Sequence, residues 1–341
     1  MARDFSNVTG VLSSAFADDI TNQINRATPL FQILSFRMGS EKNIQWDVRF
    51  GTATGSTIAD GADVSTYNTD DLVPATLQFG TYHDAFSVTG KAMAAAAAAG
   101  NPDQLVDLMG EEMSHSVERL ATKLSQDCYT GAGGTNEIHG MLHSSGGVSA
   151  TGTYASINRA TYTQWASNSV DAAAAALSLA QLRQTRRAIY LASGLKPDVI
   201  ICDPVAFDKY GALLGSERRY MQDVRLRGQT VVLDGGYQVL EFEGTPVIED
   251  KQMSADTFLF LNSRHVYLTQ LPNPASVLAR ANGELMVTGT EEMQFGVASP
   301  KLSAMVLPLA VTGNAFKVGL FAHPQIVVRR PNSCGKLINF T

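Results

Sequence analysis

His139 and His143 stand four residues apart, the spacing at which one helical turn would offer two imidazoles to a metal ion. The segment around them is glycine-rich and brings no third ligand close in sequence, so both read as loop histidines. Glu291-Glu292 and Asp70-Asp71 are adjacent carboxylates that could in principle share a proton. Neighbouring residues in a strand point to opposite faces, which makes these pairs solvated side chains. Ser144 and Ser145 beside His143 form no recognisable set of nucleophile, base and orienting group, and read as loop. Gly131-Ala132-Gly133-Gly134 follows a helix instead of a strand, the wrong context for holding phosphate at a helix N-terminus. GxxxxGK[ST], GxSxG, HExxH and a strand-borne GxGxxG are all missing. Met109 and Met113 read as helix packing, and the scattered tyrosines and tryptophans offer no stacking platform for single-stranded nucleic acid. No catalytic, cofactor-binding or metal-binding residue is expected, and the chain is read as a structural protein.

Composition points the same way. A chain of 341 residues with 45% hydrophobic content can bury a sizeable core and has the length of two or three domains or one large composite. Charged residues make up only 17%, which leaves little charged surface to keep subunits apart. The formal net charge of −6 gives no chain-wide attraction for phosphates, and Arg186-Arg187, Arg218-Arg219 and Arg329-Arg330 stand as isolated pairs. Cys128, Cys202 and Cys334 lie far apart and form no CxxC, which fits a reducing compartment. No apolar signal core opens the sequence, no stretch is long and apolar enough to span a bilayer, and cytosolic synthesis is expected.

The elements that must position any surface follow from periodicity. Phe16, Ile20, Ile24 and Phe31 describe a short amphipathic helix interrupted by Pro29, which reads as an arm. From Asn43 the pattern alternates, with Ile44, Trp46, Val48 and Phe50 on one side and Gln45, Asp47 and Arg49 on the other. A polar, glycine-rich stretch from Gly51 to Asp71 follows, then a second alternating run from Leu77 through Phe79 to Phe86 and Val88. Together these predict a long hairpin with a soft tip. Two strands alone are marginally stable, so the Asn43 to Gly90 excursion needs a partner surface, either a neighbouring subunit or its own domain. Trp46, Phe50, Phe79 and Tyr82 gather toward its base, while Arg49, Asp60, Asp63, Asp70 and Asp71 mark its polar part, and these nine are the candidate assembly residues. Asn101-Pro102 then reads as N-cap and first turn of a helix of roughly 28 residues, about 40 Å long, carrying Leu105, Met109, Met113, Val117, Leu120, Leu124 and Cys128 as its stripe. A compact α/β segment follows, with a buried strand at Asp198 to Cys202 and a helix from Pro204 to Leu214, and the chain from Gly283 onward is strand and turn.

This order of parts resembles the major capsid proteins of tailed bacteriophages with the Hong Kong 97-type fold. The resemblance rests on the excursion Ile44 to Val88, the helix Asp103 to Thr130 and the Glu137 to Leu142 step after it, then Ile157 to Trp165, Lys196 to Pro204 and Gly244 to Asp250. It implies an α+β architecture with an N-terminal arm (1–42), an extended E-loop (43–90), a P domain (91–180) with a spine helix at about 102–130, an A domain (181–280), and return strands of the P domain with the C-terminus (281–341).

By the same resemblance, the subunit is expected to build hexamers and pentamers of an icosahedral shell around double-stranded DNA, as a virion component assembled in the host cytoplasm. A scaffolding protein, portal and decoration protein are possible partners; no membrane is expected among them. An encapsulin-like cargo compartment is the alternative within the same fold, and an α/β enzyme a more distant one. Some relatives lock the shell through an E-loop lysine, but no lysine lies between Asn43 and Gly90, so the contact is expected to hold without a covalent crosslink. The arm begins almost at Met1, so a separate scaffold, or none, is expected.

Overall fold

The computed structural model describes residues 29–51, 57–61, 71–98, 102–215, 224–226, 229–231, 239–273, 276–281, 284–289, 291–295, 302–309 and 314–341. The arm helix expected over Ser14 to Phe31 lies outside these residues except at its end. There Pro29 is the first residue of the helix Pro29–Ile33, a position that suits its fixed φ and missing N–H.

In chain order the strands are β1 (Ser35–Met38), β2 (Asn43–Phe50), β3 (Asp71–Gln78), β4 (Tyr82–Thr89), β5 (Thr153–Tyr154), β6 (Ile157–Asn158), β7 (Asn168–Asp171), β8 (Val199–Cys202), β9 (Val224–Leu226), β10 (Gln229–Val231), β11 (Val239–Phe242), β12 (Thr245–Glu249), β13 (Thr257–Leu261), β14 (Val266–Gln270), β15 (Ser276–Ala281), β16 (Glu284–Gly289), β17 (Glu291–Phe295), β18 (Leu302–Pro308), β19 (Ala315–Ala322), β20 (Pro324–Val328) and β21 (Gly335–Ile338). Three sheets carry the architecture: β17-β18-β19-β4, β1-β14-β20 and the six-stranded β11-β12-β8-β13-β21-β7. Helices Gly90–Ala98, Pro102–Thr130, Leu179–Ser193 and Pro204–Leu214 complete it. No helix among the described residues is long and apolar enough to cross a membrane.

The long helix spans Pro102–Thr130, and its N-cap Asn101 lies outside the described residues. Met113, Val117, Leu120, Ala121, Leu124 and Cys128 are buried, while His115, Glu118, Arg119, Thr122, Lys123 and Gln126 are exposed. That is one apolar stripe at helical spacing, and it packs against β4 and the central core. The helix ends in a backbone cap: Gly131, Met141 and Leu142 donate to the carbonyls of Asp127, Cys128 and Tyr129 at 2.9, 2.8 and 2.8 Å.

The six-stranded sheet surrounds β8, whose four residues are all buried, each large aliphatic side chain contributing about 2 kcal/mol of burial. Its helices are closed by local chemistry. Ser178 and Gln181 form a capping box at the start of Leu179–Ser193, and Gly194 ends it at φ 71°. Asp203 caps Pro204–Leu214, accepting from the Ala206 N–H at 3.2 Å.

The predicted hairpin needs one correction. β2 pairs with β3 from Asn43↔Gln78 to Phe50↔Asp71, whereas Tyr82–Thr89 leaves the hairpin and pairs with β19 in the four-stranded sheet. The break lies at Gly80-Thr81, where Gly80 donates to Pro324 O at 3.0 Å and Thr81 to Asn136 O at 2.8 Å. A Cβ on Gly80 would press on the Tyr82 ring and crowd two backbone atoms, so glycine suits the close approach there.

Candidate assembly surface

The residues that suggested chemistry have structural partners. His139 Nδ1 lies 3.2 Å from Ser145 O, and burial holds its pKa below the usual imidazole range. His143 Nδ1 lies 2.8 Å from Ser145 Oγ within one turn, and Ser145 Oγ donates to Ala132 O at 2.7 Å. Among the described residues, no group of three His, Cys, Asp or Glu side chains converges as a metal site would require. Cys128, Cys202 and Cys334 are buried free thiols, and burial pushes the pKa of Cys334 up to about 11.

The hairpin is seated on its own chain along its paired length. Phe50 stacks on Tyr162 at 4.5 Å and meets Trp165 edge-on at 5.9 Å, and Trp46 lies 6.5 Å from Trp165. Tyr154 stacks beside Trp165 at 6.0 Å and accepts the Trp165 indole N–H at its carbonyl, 3.1 Å away. On the β3 side, Thr76 N–H donates to Ala155 O at 3.0 Å. Ala155 and Ser156 sit at φ 51° and 65°, the positive pair that a two-residue hairpin turn between β5 and β6 demands. The segment Thr57 to Gly61, by contrast, is exposed throughout. Its Ile58 stands 55% open to solvent, and nearby Leu72 on β3 61%.

The nine candidate assembly residues therefore divide. Trp46, Phe79 and Tyr82 are buried in the chain's own core, and Phe50 is half-buried in the aromatic cluster. Arg49, Asp60 and Asp71 are exposed, and Asp63 and Asp70 lie outside the described residues. Tyr82 acts as an internal hub. Its hydroxyl donates to Asp127 Oδ2 at 2.8 Å and accepts from Ile138 N–H at 3.1 Å, while Lys123 donates to Asp127 Oδ1 at 2.9 Å. We expect Tyr82→Phe to leave the Ile138 N–H and one Asp127 oxygen without this partner and to lower stability by about 2 kcal/mol, read from the urea midpoint. A midpoint equal to wild type would contradict the hub.

Sequence reasoning missed a second surface. A groove of about 1010 Å3 runs beside β2, lined by Trp46 to Gly51 and by residues of the 163–168, 264–265 and 329–332 segments. Arg37, Arg49, Arg264, Arg329 and Arg330 all face it. They come from four separate stretches of chain, so only the fold reveals the cluster.

The family model for the SU10 major capsid protein matches residues 4–298. The chain belongs to the SU10 major capsid protein family. It is thus a structural subunit of a bacteriophage capsid and not an enzyme, and in the virion it stands among many copies of itself. The fold of this capsid protein agrees with solved shells. The cyanophage A-1(L) capsid asymmetric unit is similar at TM-score 0.68 and 17% identity, over 92% of both chains. A solved structure from Mycobacterium phage Bobi is similar at TM-score 0.55 and 11% identity, over 92% of this chain and 90% of that one. The holo-SrpI encapsulin of Synechococcus elongatus PCC 7942 is similar at TM-score 0.52 and 13% identity, over 92% and 88%. No curated protein matches this chain. The expected Hong Kong 97-type α+β fold is the one these likenesses support.

Proposed function

We propose that this capsid subunit forms hexamers and pentamers of an icosahedral shell around double-stranded DNA, assembled in the host cytoplasm, with the β2–β3 connection reaching an adjacent subunit. The observation that carries the reading is the end-to-end likeness to a cyanophage capsid subunit, over 92% of both chains. The hairpin geometry supports the reach: paired strands anchored by Trp46 and Phe50 form a firm base for a polar connection whose described part, Thr57 to Gly61, is exposed. The working ranges stay arm 1–42, E-loop 43–90, P domain 91–180 and 281–341, and A domain 181–280. Within them β4 serves the four-stranded sheet and β21 the six-stranded one. Scaffolding, portal and decoration proteins are further partners in this reading. Shell stability comes from many modest contacts acting together.

Sedimentation and negative-stain microscopy of the expressed chain, with and without its neighbouring reading frames, test the proposal. Deleting Gly55 to Asp70 is expected to leave a soluble, folded subunit that forms no closed shells. Normal shells from that variant would refute the reach, and a wild-type chain that stays a 36.5 kDa monomer in every condition would refute the shell. The encapsulin likeness favours one second reading, a compartment for cargo protein, and shells that purify with an enzyme instead of nucleic acid would establish it.

A further inference from the structure

The groove beside β2 gathers cations that lie scattered along the sequence. Five arginines line it, Arg37, Arg49, Arg264, Arg329 and Arg330, against one carboxylate, Asp47, and no lysine. The sheet β1-β14-β20 brings four of them together: Arg37 belongs to β1, Arg264 lies just before β14, and Arg329 and Arg330 follow β20. The Arg329 N–H donates to His265 O at 2.8 Å, which continues the ladder between those last two strands. Arg37 lies over the Tyr267 ring at 4.3 Å. Burial raises the Tyr267 pKa, and Arg329 and Arg37 both oppose it. Burial first, then Arg330, Arg329 and Arg264, hold the His265 pKa below its usual range, with only Asp198 opposing. The cations therefore act as one field, in a chain of net charge −6. Among the described residues, no carboxylate forms an ion pair with Arg37, Arg264, Arg329 or Arg330. Arg330 is engaged by Ser193 O at 2.8 Å and by Asn332, whereas Arg37, Arg264 and Arg329 stand exposed.

The rest of the lining narrows the occupant. The groove measures about 1010 Å3, at the top of the roughly 300–1,000 Å3 of small-molecule sites, so it is large for a single small anion. Its large aromatic rings are already engaged, with Trp46 and Trp165 buried and Phe50 stacked on Tyr162. They offer no open face for the bases of a single strand, and they fill the space that the apolar anchor of a protein partner would need. An extended polyanion with its charges on the outside fits better. Neutral donors of the kind that bind phosphate oxygens complete the lining: exposed Thr163 and Gln164, and the indole N–H of Trp46, a residue 8% exposed whose nitrogen has no hydrogen-bond partner. The planar fork of arginine suits phosphate in the same way.

We propose that this groove binds the phosphodiester backbone of double-stranded DNA, without regard to its sequence, and so marks the face of the subunit that meets the packaged genome. The second half rests on the shell reading and the first does not. A cationic seat on an otherwise acidic subunit would hold DNA at one place and leave the remaining wall repelling it.

Duplex binding by the full-length unassembled subunit, followed by fluorescence anisotropy over a salt series, tests the site. Arg264→Gln with Arg329→Gln, both exposed side chains, should leave the circular dichroism spectrum unchanged and weaken binding by about ten-fold or more at low salt. The slope of log K against log salt should become shallower by about two. Arg183→Gln with Arg187→Gln, an equal change of charge at exposed positions of the helix Leu179–Ser193, should leave binding within about two-fold of wild type. Equal losses from both pairs would reduce the effect to net charge and overturn the site. So would inorganic phosphate that displaces the duplex at equal phosphate concentration, which would mean a free-ion site, or polyglutamate that binds more tightly than duplex, which would mean an acidic protein partner. A photocrosslinking residue in place of exposed Gln164 keeps every arginine, and in filled particles it should crosslink to DNA. Filled particles without that crosslink would overturn the proposal and leave the shell reading standing. A chain that binds duplex through the groove yet forms no shells would uphold the site and sink the shell reading.

Discussion

Arg159→Ala is expected to destabilise the subunit by about 3–4 kcal/mol, lowering its thermal midpoint by on the order of 10 °C. Arg159 is 2% exposed, and no carboxylate hydrogen-bonds it. Its guanidinium instead donates to four backbone carbonyls, Trp165 O at 3.4 Å, Ser144 O at 3.1 Å, Thr151 O at 2.9 Å and Gly146 O, while lying 5.5 Å from the Tyr154 ring centre. Burial lowers its pKa to about 10, so it stays charged at neutral pH. A planar fork with five donors suits this task, and a lysine does not, because one ammonium cannot face four carbonyls in a plane. Arg159→Lys should therefore recover less than half of the loss. The clip fastens the very segment, Tyr154 to Trp165, on which the hairpin rests, so the variant should also assemble poorly even where it folds. Differential scanning fluorimetry of the unassembled subunit is the measurement, and an unchanged midpoint for Arg159→Ala would show that the carbonyls are satisfied by water.

Gly146→Ala is expected to cost about 3 kcal/mol or more, although it adds a single methyl group. The position where its Cβ would sit is already taken by the backbone of Gly140, with Met141 O at 3.0 Å. Gly140 in turn has no room, since its own Cβ would meet the Asp127 carbonyl and the backbone of Thr130, both at 2.7 Å. These glycines let three stretches of main chain stack, so that Met141 and Leu142 reach the last carbonyls of the long helix. Backbone cannot swing aside as a side chain can, so the loop must open and release the helix end. Gly134→Ala is the control: it is exposed, with a nearest neighbour at 3.8 Å, and should be neutral. Equal urea midpoints for the two variants would contradict this account. Because Gly146 O also accepts from Arg159, the double variant should lose less than the sum of the singles.

The glycine run that could have suggested a phosphate loop follows the long helix, as its place in the sequence indicates, and its Gly131 caps that helix, while the parts played by Gly140 and Gly146 show only in the fold. Other features were legible. The helix Pro102–Thr130 and the helix Pro204–Leu214 follow the capping residues and apolar stripes that announce them, because local rules govern both. The hairpin was half legible. Its apolar positions run 75, 77, 79 and then 82, 86, 88, and that change of parity across Gly80 marks two strands in two sheets. The four-residue strands β7 and β21 were missed, since neither is long enough to show a period. The clip and the arginine groove were beyond reach for a different reason. Arg159 reads as an ordinary charged residue until four carbonyls surround it, and Arg37 and Arg329 meet across almost the whole chain.

The place of β21 has a consequence in time. It lies between β13, to which it is antiparallel, and β7, to which it is parallel, so the six-stranded sheet is joined through a strand that comes after all the others in the chain. Until residues 335–338 leave the ribosome, β13 carries an open, apolar edge and β7 has no neighbour in that sheet. Pairings between such distant residues form slowly. A subunit without β21 in place is therefore sticky in the wrong way, and one with it paired is smooth there. The pairing of residues 335–338 would then set the moment at which this edge is closed.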